Sequence, residues 1–202
     1  MKLYYSPGAC SLAVHIALRE IGANFDGVAV DLAKHTTADG ESFHKISPRG
    51  YVPLLQLDDG SSHTEAASLL QYVADLDPAQ TLIGATGSAR RLAVVGWLTF
   101  VSTELHKAFS PWLWHKETAD STRQACKDKL ATRFTELNGL FSARDYLAGE
   151  YSVADAYAFT IINWANFLAL PLTPYPHLLT YMGRVSERPH VQNALRAEGL
   201  VK

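Results

Sequence analysis

Three short stretches carry residues able to do chemistry together. Cys10 follows Pro7-Gly8 and stands at the head of an expected helix. A thiol there faces unpaired backbone amides and the positive helix end, both of which favour the thiolate. A free cysteine is also among the most buried residue types, so a packing role stands beside the reactive one. A dithiol redox site would read Cys-x-x-Cys; position 13 is Ala, which disfavours disulfide exchange by a protein dithiol. Val52-Pro53 opens a strand after a loop, where a cis imide would present the residue-52 backbone to a ligand. Only about 5–6% of X-Pro bonds are cis, so the local sequence by itself favours trans. Thr64-Glu65-Ala66 starts another helix, whose first amides can take a carboxylate while Glu65 holds an ammonium group. A surface acid complementing the helix dipole explains Glu65 equally simply.

A fourth group lies on a helix expected over 88–111. Thr99, Thr103, His106, Lys107 and Ser110 are spaced by four, three, one and three, which makes a polar stripe. Its two potential cations could face an anion across a domain junction or simply face solvent. His106 has no Cys or acidic partner at a zinc-ligand spacing, so no metal is expected.

These residues need elements to hold them. Lys2 to Tyr5 reads as a strand, Leu12, His15, Ile16 and Arg19 mark a helix ending at Gly22, and Gly27 to Leu32 alternates as a second strand. Residues 33–50 read as loop, with a short helix around Ser42 to Lys45. Pro53 to Leu57, the turn Asp58-Asp59-Gly60 and Ser61 to His63 form a hairpin, followed by a helix capped by Thr64. The order is βαβ then ββα, a small mixed sheet. After Asp77-Pro78 and a linker to Gly87 everything reads helical. The 88–111 helix has an apolar stripe of Leu92, Val95, Leu98, Val101, Leu105 and Phe109, and another helix spans about 118–143. Ser152-Val-Ala-Asp155 matches a capping box, 154–172 reads as a buried core helix, and helices around 177–187 and 191–200 close the chain. The expected fold class is α/β plus all-α: a thioredoxin-like domain over 1–77, a linker over 78–87 and an all-helical domain over 88–202.

Composition narrows the function classes. The 202 residues are 48% hydrophobic and 19% charged, so the chain can bury a sizeable core and is not disordered. A net charge of -2 gives no electrostatic footprint for nucleic acid. Two cysteines are too few for a disulfide framework and fit a reducing cytosol. The opening residues are interrupted by Pro7, Gly8, Ser11 and His15, unlike a signal peptide. Asp155, Asn163 and Asn166 inside the apolar run at 154–172 argue against a membrane span.

Taken in register, Tyr5-Ser-Pro-Gly-Ala-Cys10-Ser11, Gly50-Tyr-Val-Pro53, Thr64-Glu65-Ala66, Thr103-Glu-Leu-His106-Lys107, Ser152-Val-Ala-Asp155 and Leu195-Arg-Ala-Glu-Gly-Leu200 resemble the bacterial beta-class glutathione S-transferases over essentially the whole chain. The resemblance implies a cytoplasmic homodimer that uses glutathione as co-substrate, with no metal, no nucleic acid and no membrane partner. It favours a cis Pro53. It implies that Val52 pairs its backbone with the cysteinyl part of glutathione, with Ala9 and Pro53 alongside. Glu65 and the Ala66 amide would hold the γ-glutamyl end, with Glu104 of the partner subunit reaching the same place. Cys10, His106 and Lys107 would surround the sulfur and Tyr5 could donate to it. Phe109 and Trp164 would border the electrophile pocket; a core role for Trp164 is equally compatible.

Three positions depart from the family's usual pattern. Position 66 is Ala where many members have Ser, position 99 is Thr where Asn is common, and position 35 is His where Lys is common. A glycine-carboxylate contact from His35 would be weaker and pH-dependent. The leading expectation is attack of an activated glutathione thiolate on a hydrophobic electrophile. The alternatives are a Cys10-dependent thiol-disulfide reductase or reductive dehalogenase, and a non-catalytic carrier of hydrophobic ligands.

Overall fold

The computed structural model describes all 202 residues. Strand β1 (Lys2–Tyr5) is the centre of a five-stranded sheet ordered β3-β2-β1-β4-β5. It pairs in parallel with β2 (Asp26–Asp31) and antiparallel with β4 (Leu54–Gln56), in the register Leu3 to Gly27 and Leu3 to Leu55. A parallel neighbour requires a crossover, supplied by α1 (Ser11–Glu20). The period-two alternation of β1 sends Leu3 into the main core, while Tyr4 joins Val30, Phe43, Val52 and Leu54 in a smaller cluster on the opposite face. The hairpin partner of β4 is β5 (Ser62–His63), and α2 (Ala66–Asp75) follows.

One strand was not expected. Thr36 and Thr37 form β3, antiparallel to the end of β2, inside the stretch read as loop. Two polar residues offer no alternation to detect. The short helix expected nearby is a single 3-10 turn at Phe43–Lys45. In α1 every residue from Ser11 to Leu18 is buried, because α2 and two helices of the C-terminal half pack around it.

The helical half begins with α3 (Ala89–Phe100), whose first turn is capped by Ser88 accepting from the Arg91 amide at 3.1 Å. The helix expected to run unbroken to 111 instead passes through a π-helical segment at Val101–His106 into the short α4 (Lys107–Phe109). A cis Ser110-Pro111 bond lies just beyond it. The expected apolar stripe is also corrected. Leu92 is 76% exposed, and the buried row is Val94, Leu98, Val101, Leu105 and Phe109.

Then come α5 (Asp120–Phe141), α6 (Val153–Ile162), α7 (Trp164–Phe167), α8 (Pro176–Ser186) and α9 (Pro189–Ala197). The run read as one buried helix is thus two, parted at Asn163 and closed at Ala169, which adopts a positive φ of 52°. Both α8 and α9 start on a proline, where the missing amide costs nothing. Helix α6 is buried on all sides and carries the capping box of Ser152 and Asp155. A single cluster of 46 buried residues runs through α1, α2 and the C-terminal helices, so the two halves share one core. No helix is long and apolar enough to cross a membrane.

Candidate active site

The Ser6-Pro7-Gly8 turn delivers the chain from β1 into α1, with Gly8 at a φ of 72°. Its peptide is held from the other half of the molecule on both sides. The Gly8 amide donates to Glu198 Oε2 at 2.9 Å, and Trp164 Nε1 donates to the Gly8 carbonyl at 2.8 Å. Cys10 caps α1, and its Sγ donates to the Val52 carbonyl at 3.4 Å. The Val52-Pro53 bond is cis, as the resemblance implied and against the local expectation of trans.

Burial pushes the Cys10 thiol up to about 12, with the negative charge of Glu65 adding to it. The amides of Cys10 and Ser11 and the charge of Lys107 act the other way and are outweighed. The helix-end amides that favour a Cys10 thiolate are thus opposed by desolvation of the half-buried thiol.

Glu65 stands before α2 with a φ of 70°, its side chain exposed and 3.6 Å from Arg49. Ala66 next to it is buried. His35, also at positive φ, lies with its ring 4.4 Å from that of His44, and its buried Nδ1 has no hydrogen-bond partner. Both rings press on Gly50, where an added Cβ would sit 2.8 Å from each. Only glycine fits there, at a φ of 66° and two residues before Val52.

On the helical side, His106 Nδ1 is 2.7 Å from the Tyr157 hydroxyl, and its ring meets Trp164 edge-on at 5.0 Å. Burial, reinforced by the neighbouring Lys107 charge, lowers its pKa to about 4. Of the two potential cations read on this stripe, His106 is thus disfavoured in its charged form, while the Lys107 side chain is exposed. Thr99 and Thr103 are exposed and return their hydroxyls to carbonyls of their own helix at 3.0 and 2.9 Å. Glu104 Oε2 binds Lys129 at 3.3 Å and Arg133 at 3.0 Å within its own chain.

Three expected site residues are placed elsewhere. Phe109 is fully buried and Trp164 is 5% exposed, so neither presents a face to a pocket. Period-based reading could not separate a pocket aromatic from a core one. The exposed rings beside Trp164 and Gly8 are Trp114, 5.7 Å from Trp164, and Phe167, whose ring lies 3.4 Å from where a Gly8 Cβ would be. Tyr5 turns away from the Cys10–Val52 contact, its ring against His15 at 5.5 Å and close to Gly27. Sequence reasoning missed Tyr157, Phe167 and Glu198. The one available signal was Glu198, an acid inside the closing motif. The cleft of about 410 Å³ lined by Pro111, Trp112, His115 and Thr122 contains none of the residues around the thiol.

A thiol at the head of α1, a cis-proline strand beside it and a helical half closing over the turn define a glutathione-transferase fold. Matches to known proteins agree. Residues 8–76 match the family described as "Glutathione S-transferase, N-terminal domain" and 100–189 match "Glutathione S-transferase, C-terminal domain". Glutathione S-transferase GstA of Escherichia coli O157:H7 is 40% identical over 99% of this chain and 100% of its own length. The structure of BphK, a bacterial GST solved as a ternary complex, superposes with a TM-score of 0.94 at 48% identity, covering 98% of this chain and 100% of that one. A bacterial beta-class enzyme from Sphingomonas chungbukensis gives 0.94 at 42% identity with both chains fully covered. A sphingomonad glutathione S-transferase complexed with glutathione gives 0.93 at 42%, again over the whole of both chains. The chain belongs to the bacterial beta-class glutathione S-transferases. It is a glutathione transferase, with glutathione as co-substrate.

Proposed function

We propose that the enzyme works as a cytoplasmic homodimer that binds glutathione between residues 1–77 and 88–202 and turns its thiolate on small hydrophobic electrophiles. The observation that carries this reading is the Cys10 thiol at the head of α1, seated 3.4 Å from the Val52 carbonyl of the cis-proline strand, its pKa pushed up by desolvation and acted on in opposite directions by the charges of Glu65 and Lys107. A thiol has one proton to donate; once the glutathione cysteinyl backbone takes the Val52 carbonyl, the Cys10 proton is free to turn to the incoming glutathione sulfur as its acceptor. Charge-assisted donation and the positive field of Lys107 both favour the thiolate of the bound tripeptide over its thiol. Val52, with Ala9 and Pro53, aligns the cysteinyl backbone, and Glu65 with the Ala66 amide takes the γ-glutamyl ammonium and carboxylate. His35 faces the glycine end beside Gly50. Glu104 has a second oxygen, Oε1, without a partner in its own chain, which supports a role for the partner subunit's Glu104 at the γ-glutamyl end.

His106 takes part as an uncharged imidazole fixed by Tyr157, and Trp164 keeps the Gly8 turn in place. The electrophile lies against the exposed faces of Trp114 and Phe167. Burial of Cys10 counts against the reading in which Cys10 is itself the nucleophile, because the thiolate is the attacking form. Ultraviolet titration of the bound glutathione thiol tests the proposal. Its pKa is expected about one or more units below that of free glutathione, each unit reflecting about 1.4 kcal/mol of preference for the thiolate. An unshifted thiol in the complex rejects it.

A further inference from the structure

A cleft of about 360 Å³ opens beside Tyr5 at the end of β1, between α1, the end of α9 and the start of β2. Its walls combine three donors with apolar surface: Arg19, Tyr5 and Asn24 beside Ala23, Phe25 and Ala197. Arg19 is held by its inner nitrogen. Nε donates to His15 Nε2 at 2.9 Å, which leaves Nδ1 of His15 to donate to Glu198 Oε1, also at 2.9 Å. Glu198 is itself fixed by the Gly8 amide, and its side chain is fully buried. The two oxygens of this buried carboxylate are thus committed to the Gly8 amide and the His15 ring.

The two terminal nitrogens of Arg19 make no hydrogen bond within the chain, and neither does the Tyr5 hydroxyl. The guanidinium lies 5.9 Å from the Phe25 ring centroid, which limits its swing. A guanidinium anchored through Nε presents its outer fork already oriented, and that fork matches a carboxylate in two parallel hydrogen bonds. Preorganisation of this kind removes part of the ordering cost of binding.

We propose that this cleft binds a small organic carboxylate, its charged end on Arg19 and the Tyr5 hydroxyl and its hydrocarbon body against Phe25, Ala23 and Ala197. The site is independent of the glutathione site, and its existence does not depend on the reading given above for catalysis. Benzoate is a suitable probe, with benzamide as its uncharged counterpart. Titration of isotope-labelled protein saturated with S-methylglutathione should give a saturable benzoate site at about millimolar Kd, with shifts at the Tyr5, Arg19 and Phe25 amides. Benzamide should bind about tenfold more weakly or worse. Arg19→Gln should weaken benzoate at least about tenfold, and Tyr5→Phe, which leaves the His15 relay intact, should weaken it by a smaller factor of about two to five. Absence of saturable binding, displacement by S-methylglutathione, equal binding of benzamide, or an affinity unchanged in both variants would each overturn the proposal.

Discussion

At the scale of single residues, Cys10 shows how a local rule is overridden by its surroundings. Its position at a helix head was legible from Pro7-Gly8-Ala9-Cys10; its protonation state was not, because desolvation depends on what closes over the thiol from Val52 and the helical half. The sign of the resulting pH dependence is fixed. A pKa raised to about 12 means that the thiolate fraction of Cys10 grows with pH throughout the neutral and alkaline range, with no plateau below the folded-state value. Alkylation by iodoacetamide in the absence of glutathione should therefore be slower than for an unperturbed thiol at pH 8, by about a hundredfold or more, and should climb about tenfold per pH unit. Mass spectrometry of the Cys10 peptide reads this directly, with Cys126 as the internal comparison. Fast, pH-independent labelling of Cys10 near pH 7 would show that the helix dipole prevails after all. His106 follows the same logic in the opposite direction, since burial disfavours the charged form of a base as it does that of an acid.

At the scale of elements, the capping box of α6 is readable directly from Ser152-x-x-Asp155, since that pattern has a mechanism attached. What the pattern could not show is how many bonds one carboxylate carries. Asp155 accepts from the Ser152 amide at 2.9 Å and its hydroxyl at 3.0 Å, from the Leu147 amide at 2.9 Å and from the Tyr181 hydroxyl at 3.1 Å, all in the buried interior. Burial still raises its pKa to about 6 against these bonds. Replacement by Ala leaves the Leu147 and Ser152 amides without partners and takes one acceptor each from the Ser152 and Tyr181 hydroxyls, at a cost of about 1–3 kcal/mol for each amide that water cannot reach. Asp155→Ala is expected to lose about 3 kcal/mol or more in urea unfolding, against about 1 kcal/mol for Ser152→Ala, which removes only the hydroxyl. Equal losses for the two variants would mean that the cap alone matters. Other elements were less legible for equally specific reasons. The two-residue β3 has no period, the apolar residues Leu92, Val94 and Val95 leave the start of the α3 stripe open to more than one spacing, and α6 and α1 are buried all round, where amphipathic spacing carries no information.

At the scale of the whole molecule, the Gly8 peptide is where the helical half fixes the turn that leads into Cys10. Both of its hydrogen-bonding groups are taken by residues more than 150 positions away, Trp164 on the carbonyl and Glu198 on the amide. No sequence pattern announces such a pairing, because it is set by how α7 and the segment after α9 pack on α1. Phe at 164 keeps the aromatic contacts with His106, Phe109 and Trp114 but frees the carbonyl; Gln at 198 keeps the shape but weakens a charge-assisted bond. Each substitution alone should cost about 1–2 kcal/mol of stability and raise the KM for glutathione, because the turn carrying Cys10 loosens. Since both act on one peptide, their effects should not add. A double-mutant cycle followed by circular dichroism in urea is expected to give a coupling of about 0.5 kcal/mol or more, with the double variant less impaired than the sum. Strict additivity, or a glutathione KM untouched by either change, would separate the turn from the helical half and leave the two bonds as independent packing details.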